Sequence, residues 1–235
     1  MHIRCVWEHN GEDTLLYAEN LPGAYTRGKS LAEALAKMPR EAERMLIWQG
    51  VYLAEPVTAE VMEDRPCDLK VSDADSDVLF SAEAEPLTAA EYAALKALCM
   101  KSAADFHALY EAVPDKYASA LPHRKTFYGD VPRTAEEMYR HTRSVNSYYF
   151  GEIGVDADND GTIFACRARG FAALEALPGF LEMPPVEGSY GEMWSLRKVL
   201  RRFLWHDRIH AKAMTRMALR TFGPDSIPDI FAFAL

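Results

Sequence analysis

The chain reads as an α+β protein, a small antiparallel β-sheet with one helix followed by a wholly helical remainder. Three observations predict this. All β-type alternation lies before Pro86, and after it the apolar positions recur at helical spacing behind Ser/Thr-x-x-Glu caps. Between the two lies the short acidic stretch Ala82-Glu83-Ala84-Glu85-Pro86, which reads as a linker and divides the chain into units of 1–85 and 86–235.

At 235 residues, 49% apolar and 26% charged, the chain is long enough for one large or two modest cores. Its net charge of -9 argues against a dedicated nucleic-acid or anionic-membrane binder, since both demand a positive footprint. Cys5, Cys67, Cys99 and Cys166 are widely spaced with no CxxC pair, so they read as reduced, mostly buried thiols. The first residues lack the apolar core of a signal peptide, and no apolar run reaches the ~20 residues that span a bilayer. A cytoplasmic protein is expected.

Residues 3 to 9 and 14 to 18 alternate like strands around Asn10-Gly11, a two-residue hairpin signal. A third run, Ala24 to Gly28, follows the turn Leu21-Pro22-Gly23. Ser30 and Glu33 then form a capping box opening a helix to about Trp48. The prediction is a three-strand meander crossed by a helix, with further strand-like pieces at Val51 to Leu53, Asp68 to Ser72 and Val78 to Ser81.

Beyond Pro86, Thr88 with Glu91 caps a helix running to about Val113, and Thr134 with Glu137 caps one carrying Met138, His141, Val145, Tyr148 and Tyr149 near one face. A weaker helix spans Ile163 to Leu177. Ser189 with Glu192 suggests a further capping box for the last helix, which Gly223-Pro224 stops. Four helices with one apolar face each predict a bundle. The tail Ile227 to Leu235 is too apolar to stay in water, and is expected to pack on the helices or at a homodimer contact.

The chemistry concentrates in the last helix. His206 and His210 are four apart, which makes them neighbours on a helix able to share one cation. At about 100° per residue they fall on the arc of Leu196, Val199, Leu200, Phe203, Met214 and Met217, while Arg197, Arg201, Arg208, Lys212 and Arg216 fall opposite, as a solvated face paired with acidic neighbours. A polar ring inside an apolar stripe needs a partner, and two facing imidazoles suit a metal. His141 lies on the apolar face of its own helix too. Three neutral imidazoles leave a fourth tetrahedral position for water, thiol or substrate, which is the arrangement of a catalytic rather than a structural metal. Glu137, one turn before His141, and Tyr148, two turns beyond, are candidates for proton transfer at that position.

Two decoys are set aside. His206-Asp207-Arg208-Ile209-His210 differs from the HExxH of zinc proteases by one methylene, but Asp is too short for the base and no downstream His or Glu supplies a third ligand. Asp156 to Ile163 matches the first eight positions of an EF-hand loop, yet the twelfth, a bidentate glutamate in that loop, is Arg167.

The ordered set of His141 in TAEEMYRHTRSVNSYYF and His206 with His210 in LRKVLRRFLWHDRIHAKAM resembles the DinB/YfiT-like superfamily over about residues 87 to 222. The resemblance implies an up-up-down-down four-helix bundle with zinc or nickel on the three histidines. It also implies a small-molecule substrate and a low-molecular-weight thiol, since relatives include thiol S-transferases and a mycothiol-dependent maleylpyruvate isomerase. At the other end, LPGAYTRGKSLAEALAKMPREAERML resembles the HicB-like domain of bacterial antitoxins over about residues 1 to 50. That implies the alternative, a module engaging a protein partner with the bundle as a metal-stabilised scaffold. No DNA-binding element follows residue 50, which weakens a toxin-antitoxin role.

Overall fold

A computed structural model describes residues 1–233 as a mixed α+β protein. The N-terminal sheet comprises β1 (His2–Asn10), β2 (Asp13–Ala18) and β3 (Tyr25–Gly28), and α1 (Leu31–Trp48) follows at the Ser30 cap. A fourth strand, β4 (Thr58–Pro66), completes the order β3-β2-β1-β4 and runs parallel to β1. The expected three-strand antiparallel meander β1–β2–β3 forms, and β4 makes the sheet as a whole mixed rather than antiparallel. Sequence reading passes over β4 because TAEVMEDRP is alternately exposed and half-buried, with charges on both faces, as in an edge strand. The pieces anticipated at 51–53, 68–72 and 78–81 are not strands: the chain there runs irregularly, with short 3-10 turns at Val71–Asp73 and Ser81–Ala84.

Both faces of the sheet are covered. Along β2, Leu16 and Ala18 point into the main apolar core, while Leu15 and Tyr17 join Val6, Tyr25, Phe80 and Trp205 in a second cluster. Gly23 lies where α1 and the last helix close in, since a Cβ there would stand 2.8 Å from Met45 and 3.0 Å from Leu204, and its φ of 97° is one that L side chains rarely adopt.

The remainder contains α2 (Ala89–Ala112), a small hairpin β5 (Lys125–Thr126) and β6 (Gly129–Asp130), α3 (Ala135–Gly151), α4 (Ile163–Glu175), the ribbon β7 (Val186–Glu187) and β8 (Met193–Trp194), and α5 (Leu196–Phe222). Thr88 and Thr134 make the expected capping boxes. The last helix opens later than anticipated: Ser195 is its cap, and Ser189 to Trp194 instead form a turn and the strand β8. Helix α5 packs on α2 and α3, and α4 on α2 and α3.

The basic side of α5 is the main departure from expectation. Lys198, Arg201, Arg202 and Arg208 are buried rather than solvated. From Lys198 to Arg208 the helix is buried all round, so the cations there need partners, several of them from the N-terminal half. Arg201 pairs with Glu83, Arg208 with Glu41 at 2.7 Å, and Lys212 with the other oxygen of Glu41 at 2.7 Å. Arg202 donates to the Ser76 carbonyl at 2.8 Å. The stretch read as a linker is thus pinned to α5 through Glu83, and one apolar cluster runs from Ile3 and Met45 through Phe203 and Leu204 without a break at Pro86. Of the tail, Phe231 is buried and stacked on Trp48 at 5.7 Å, so the described part packs on the protein itself; Ala234 and Leu235 lie outside the described residues. No described helix is long and apolar enough to cross a membrane.

Removing one partner of a buried ion pair strands the other charge. Glu83→Ala is expected to lower stability by about 3–5 kcal/mol in chemical denaturation, and Glu83→Ala with Arg201→Met to recover most of it. A double variant as unstable as the single would show that the pair is not what Glu83 contributes.

Candidate metal centre

Two helices bring the histidines together. The Thr134 box fixes the start of α3, which places His141 two turns in, and the Ser195 cap sets α5, on which His206 and His210 share a face. The two helices pack against each other, and the three rings meet across that contact with centroids 5.1 Å (His141–His206), 4.6 Å (His141–His210) and 4.5 Å (His206–His210) apart. One ligand nitrogen from each ring lies within 4.8 Å of the others, so the trio can hold a metal ion.

The donor set fits such an ion. His141 Nε2 and His206 Nε2 are 3.3 Å apart, and a tetrahedral site with metal–nitrogen bonds of about 2.0–2.1 Å has edges of about 3.3–3.4 Å. Protonation is disfavoured at all three. Partial desolvation of its ring against the other two pushes His141, an exposed residue overall, below its ordinary pKa; His206 and the half-buried His210 are pushed well below it by desolvation first, then by the neighbouring histidines, with Arg202 and Arg167 adding at His206 and Arg27 at His210. Neutral imidazole is the ligating form. His206 Nδ1 is buried with no protein partner, so no carbonyl or carboxylate sets its tautomer.

Below the ligands, Asp207 and Arg167 form a fully buried pair at 2.5 Å linking α5 to α4, with the guanidinium 4.2 Å over the Phe203 ring. The residue that spoils the EF-hand pattern is therefore a core crosslink. In the same loop, Asp158 is taken by Arg169, while Thr162 caps α4.

All three histidines line one cavity of about 1160 Å³. Tyr148 lines it as well, its phenol held protonated by burial with Glu192 and Glu152 adding. Glu137 is not part of this wall. Its carboxylate accepts from the backbone of Arg133 at 2.8 Å and of Thr134 at 3.0 Å, which holds it below the ordinary carboxylate range as a helix cap. His107 bonds the Tyr139 hydroxyl at 3.0 Å, and His9 meets Asp64 at 2.8 Å, each away from the trio.

Sequence reasoning missed the far wall of the cavity. Tyr25, Arg27 and Glu41 come from the sheet and α1, and Tyr128 from the β5–β6 hairpin, where its hydroxyl donates to Asp75 at 2.6 Å. The aromatic pair before Gly129 was a signal for that hairpin; nothing local marks the others.

The fold and the centre together define an α+β protein with three convergent histidines able to bind a metal. No protein-family model, no curated protein and no solved structure matches the chain.

A group whose pKa is lower in the folded than in the unfolded state costs stability as pH falls, because the unfolded chain takes the proton first. All three shifts run downward from 6.5, so metal-free protein should keep its full stability above about pH 6.5 and lose it progressively below. Denaturation at pH 7.5 and 5.5 should show a smaller loss for the His141→Gln/His206→Gln/His210→Gln variant. An equal loss in both proteins would mean that the histidines do not carry the pH response.

Proposed function

We propose that the chain is a divalent-metal-dependent enzyme of the DinB/YfiT-like type, a thiol S-transferase or isomerase on an up-up-down-down helical bundle. The observation that carries this reading is the convergence of three neutral imidazoles at the wall of a large cavity. Three protein ligands leave a coordination position free, and the cavity gives a substrate access to it. Zinc and nickel both suit an all-imidazole set.

His141, His206 and His210 hold the ion, which when bound lowers the pKa of a thiol or water. Desolvation of the rings at their mutual contact, most complete at the buried His206, disfavours competing protons, although His141 as a residue is exposed and His210 half-buried. Tyr148, protonated and facing the cavity, supplies a proton or a hydrogen bond to an anionic atom there. Glu137 is committed to capping α3 and acts by fixing where that helix, and so His141, begins. The buried rings of Tyr149 and Trp205 add apolar surface to the cavity wall.

The HicB-like alternative, a sheet reserved for a protein partner, is less well supported. Tyr25 and Arg27 on β3 line the cavity, and Tyr17 and Leu15 are buried against Trp205 and its neighbours.

Added zinc or nickel should raise the melting temperature with the logarithm of its concentration, and stabilise by about 4 kcal/mol at a thousandfold excess over Kd. His141→Ala should abolish that rise although it lies 65 residues from His206, whereas His107→Ala should leave it intact. Undiminished metal affinity in His141→Ala would remove the three-histidine centre.

A further inference from the structure

The chain as a whole is acidic, with 35 Asp and Glu against 26 Lys and Arg. Its cavity is the reverse: eight Lys and Arg line it against four Asp and Glu. Most of those cations are accounted for within the protein. Lys212 meets Glu41, Lys37 meets Glu33 at 2.5 Å, and Arg124 faces Asp73 at 3.8 Å. Arg202 is held by the Ser76 carbonyl and stands over the Trp205 ring at 4.9 Å, and Arg40 and Arg44 have contacts of their own.

Arg27 and Arg216 are different. Neither has a carboxylate within ion-pair distance among the described residues, and Arg27 Nε is buried with no hydrogen-bond partner. Arg216 donates only to the Lys212 carbonyl of its own helix, at 3.3 Å. The two come from opposite halves of the chain, β3 and α5, yet both act electrostatically on one phenol, that of Tyr25. Both line the same cavity as the three histidines, and Arg27 is the one that also acts on His210. Tyr25 is itself in the wall, and burial pushes its hydroxyl up to about 12, so it stays a donor at neutral pH. Glu41, the acid that acts on the same phenol, already serves both Arg208 and Lys212.

We propose that Arg27 and Arg216, with the Tyr25 hydroxyl, form an anion subsite that holds the carboxylate of a small-molecule substrate whose other end reaches the three histidines. The planar guanidinium fork matches a carboxylate with paired hydrogen bonds, which an unpaired arginine at a cavity wall is free to make. The subsite deepens the metal-enzyme reading and rests on it for the identity of the reacting end, but its anion preference does not depend on a metal. It also gives the N-terminal sheet a task within this chain: β3 brings half of the anion grip to a centre built by α3 and α5.

The test uses the full-length chain in two arms. In the first, metal-free protein is melted in rising succinate at constant ionic strength set with sodium chloride. Wild type should gain melting temperature with succinate, and Arg27→Gln and Arg216→Gln should each weaken the apparent affinity by about tenfold or more, as loss of a charge-assisted contact does. Neither substitution breaks an ion pair, so melting temperatures without succinate should stay near wild type and report on folding. In the second arm, cobalt-loaded protein is titrated with mercaptosuccinate or 2-mercaptoethanol, followed by the thiolate-to-cobalt absorption. The dianionic thiol should be preferred in wild type and the preference lost in the double variant, with 2-mercaptoethanol affinity unchanged. No succinate-dependent rise in wild type, or an equal rise in the double variant, overturns the subsite. Failure to load cobalt with the succinate response intact would overturn the metal reading and leave the subsite standing.

Discussion

The structure depends on the need to neutralise the cations of α5 where that helix is buried on all sides, from Lys198 to Arg208. Lys198, Arg201, Arg202 and Arg208 are each at most 8% exposed. An unpaired charge in that setting is strongly destabilising, so each must meet an acid or a carbonyl at close range. Glu41 from α1, Glu83 from the turn before α2, and Glu192 from the loop before α5 supply the carboxylates. Because two of these belong to the N-terminal half, satisfying the helix fixes how the sheet and α1 lie against it. Whether such pairs add net stability matters less here than the register they impose, since an apolar contact alone would allow sliding.

That register produces the cavity. With α1 tied to Arg208 and Lys212 through Glu41, strand β3 is carried to the same side of α5 as His210, and Tyr25 and Arg27 face the histidines. The same placement seats Lys212 4.3 Å over the Tyr25 ring and depresses its pKa to about 8, burial being the main cause. The wall opposite comes from the β5–β6 hairpin, held to the N-terminal half by Tyr128 and Asp75. The cavity is thus a product of both halves, and neither contains it alone.

The histidine trio follows a second constraint, desolvation. Buried imidazoles near other cations are poor bases, and the rings at 206 and 210 have Arg202, Arg167 or Arg27 near them. A site that repels protons at neutral pH is ready for a metal without having to displace them. Asp207, adjacent in sequence to His206, does not act as a ligand carboxylate or a protease base. It is spent on Arg167, and so ties α5 to α4 beneath the rings.

Local signals in the sequence determined the helix starts at Thr88 and Thr134, the Gly223 stop, the β1–β2 hairpin, though its turn falls one residue on at Gly11-Glu12, and the three histidines, because each rests on residues within a turn or a helical period of one another. The edge strand β4 was not legible, since it is alternately exposed and half-buried with charges on both faces, and has no apolar face to announce it. The basic side of α5 was misread as solvated for a related reason: amphipathicity shows which face is polar, but whether that face meets water or a set of carboxylates depends on partners more than 100 residues away. Glu137 and Tyr148 look alike as neighbours of His141 on one helix. Only the three-dimensional arrangement separates them, committing the carboxylate to the cap and turning the phenol to the cavity, because capping is decided by the backbone at the helix start and access by what the distant sheet and hairpin cover.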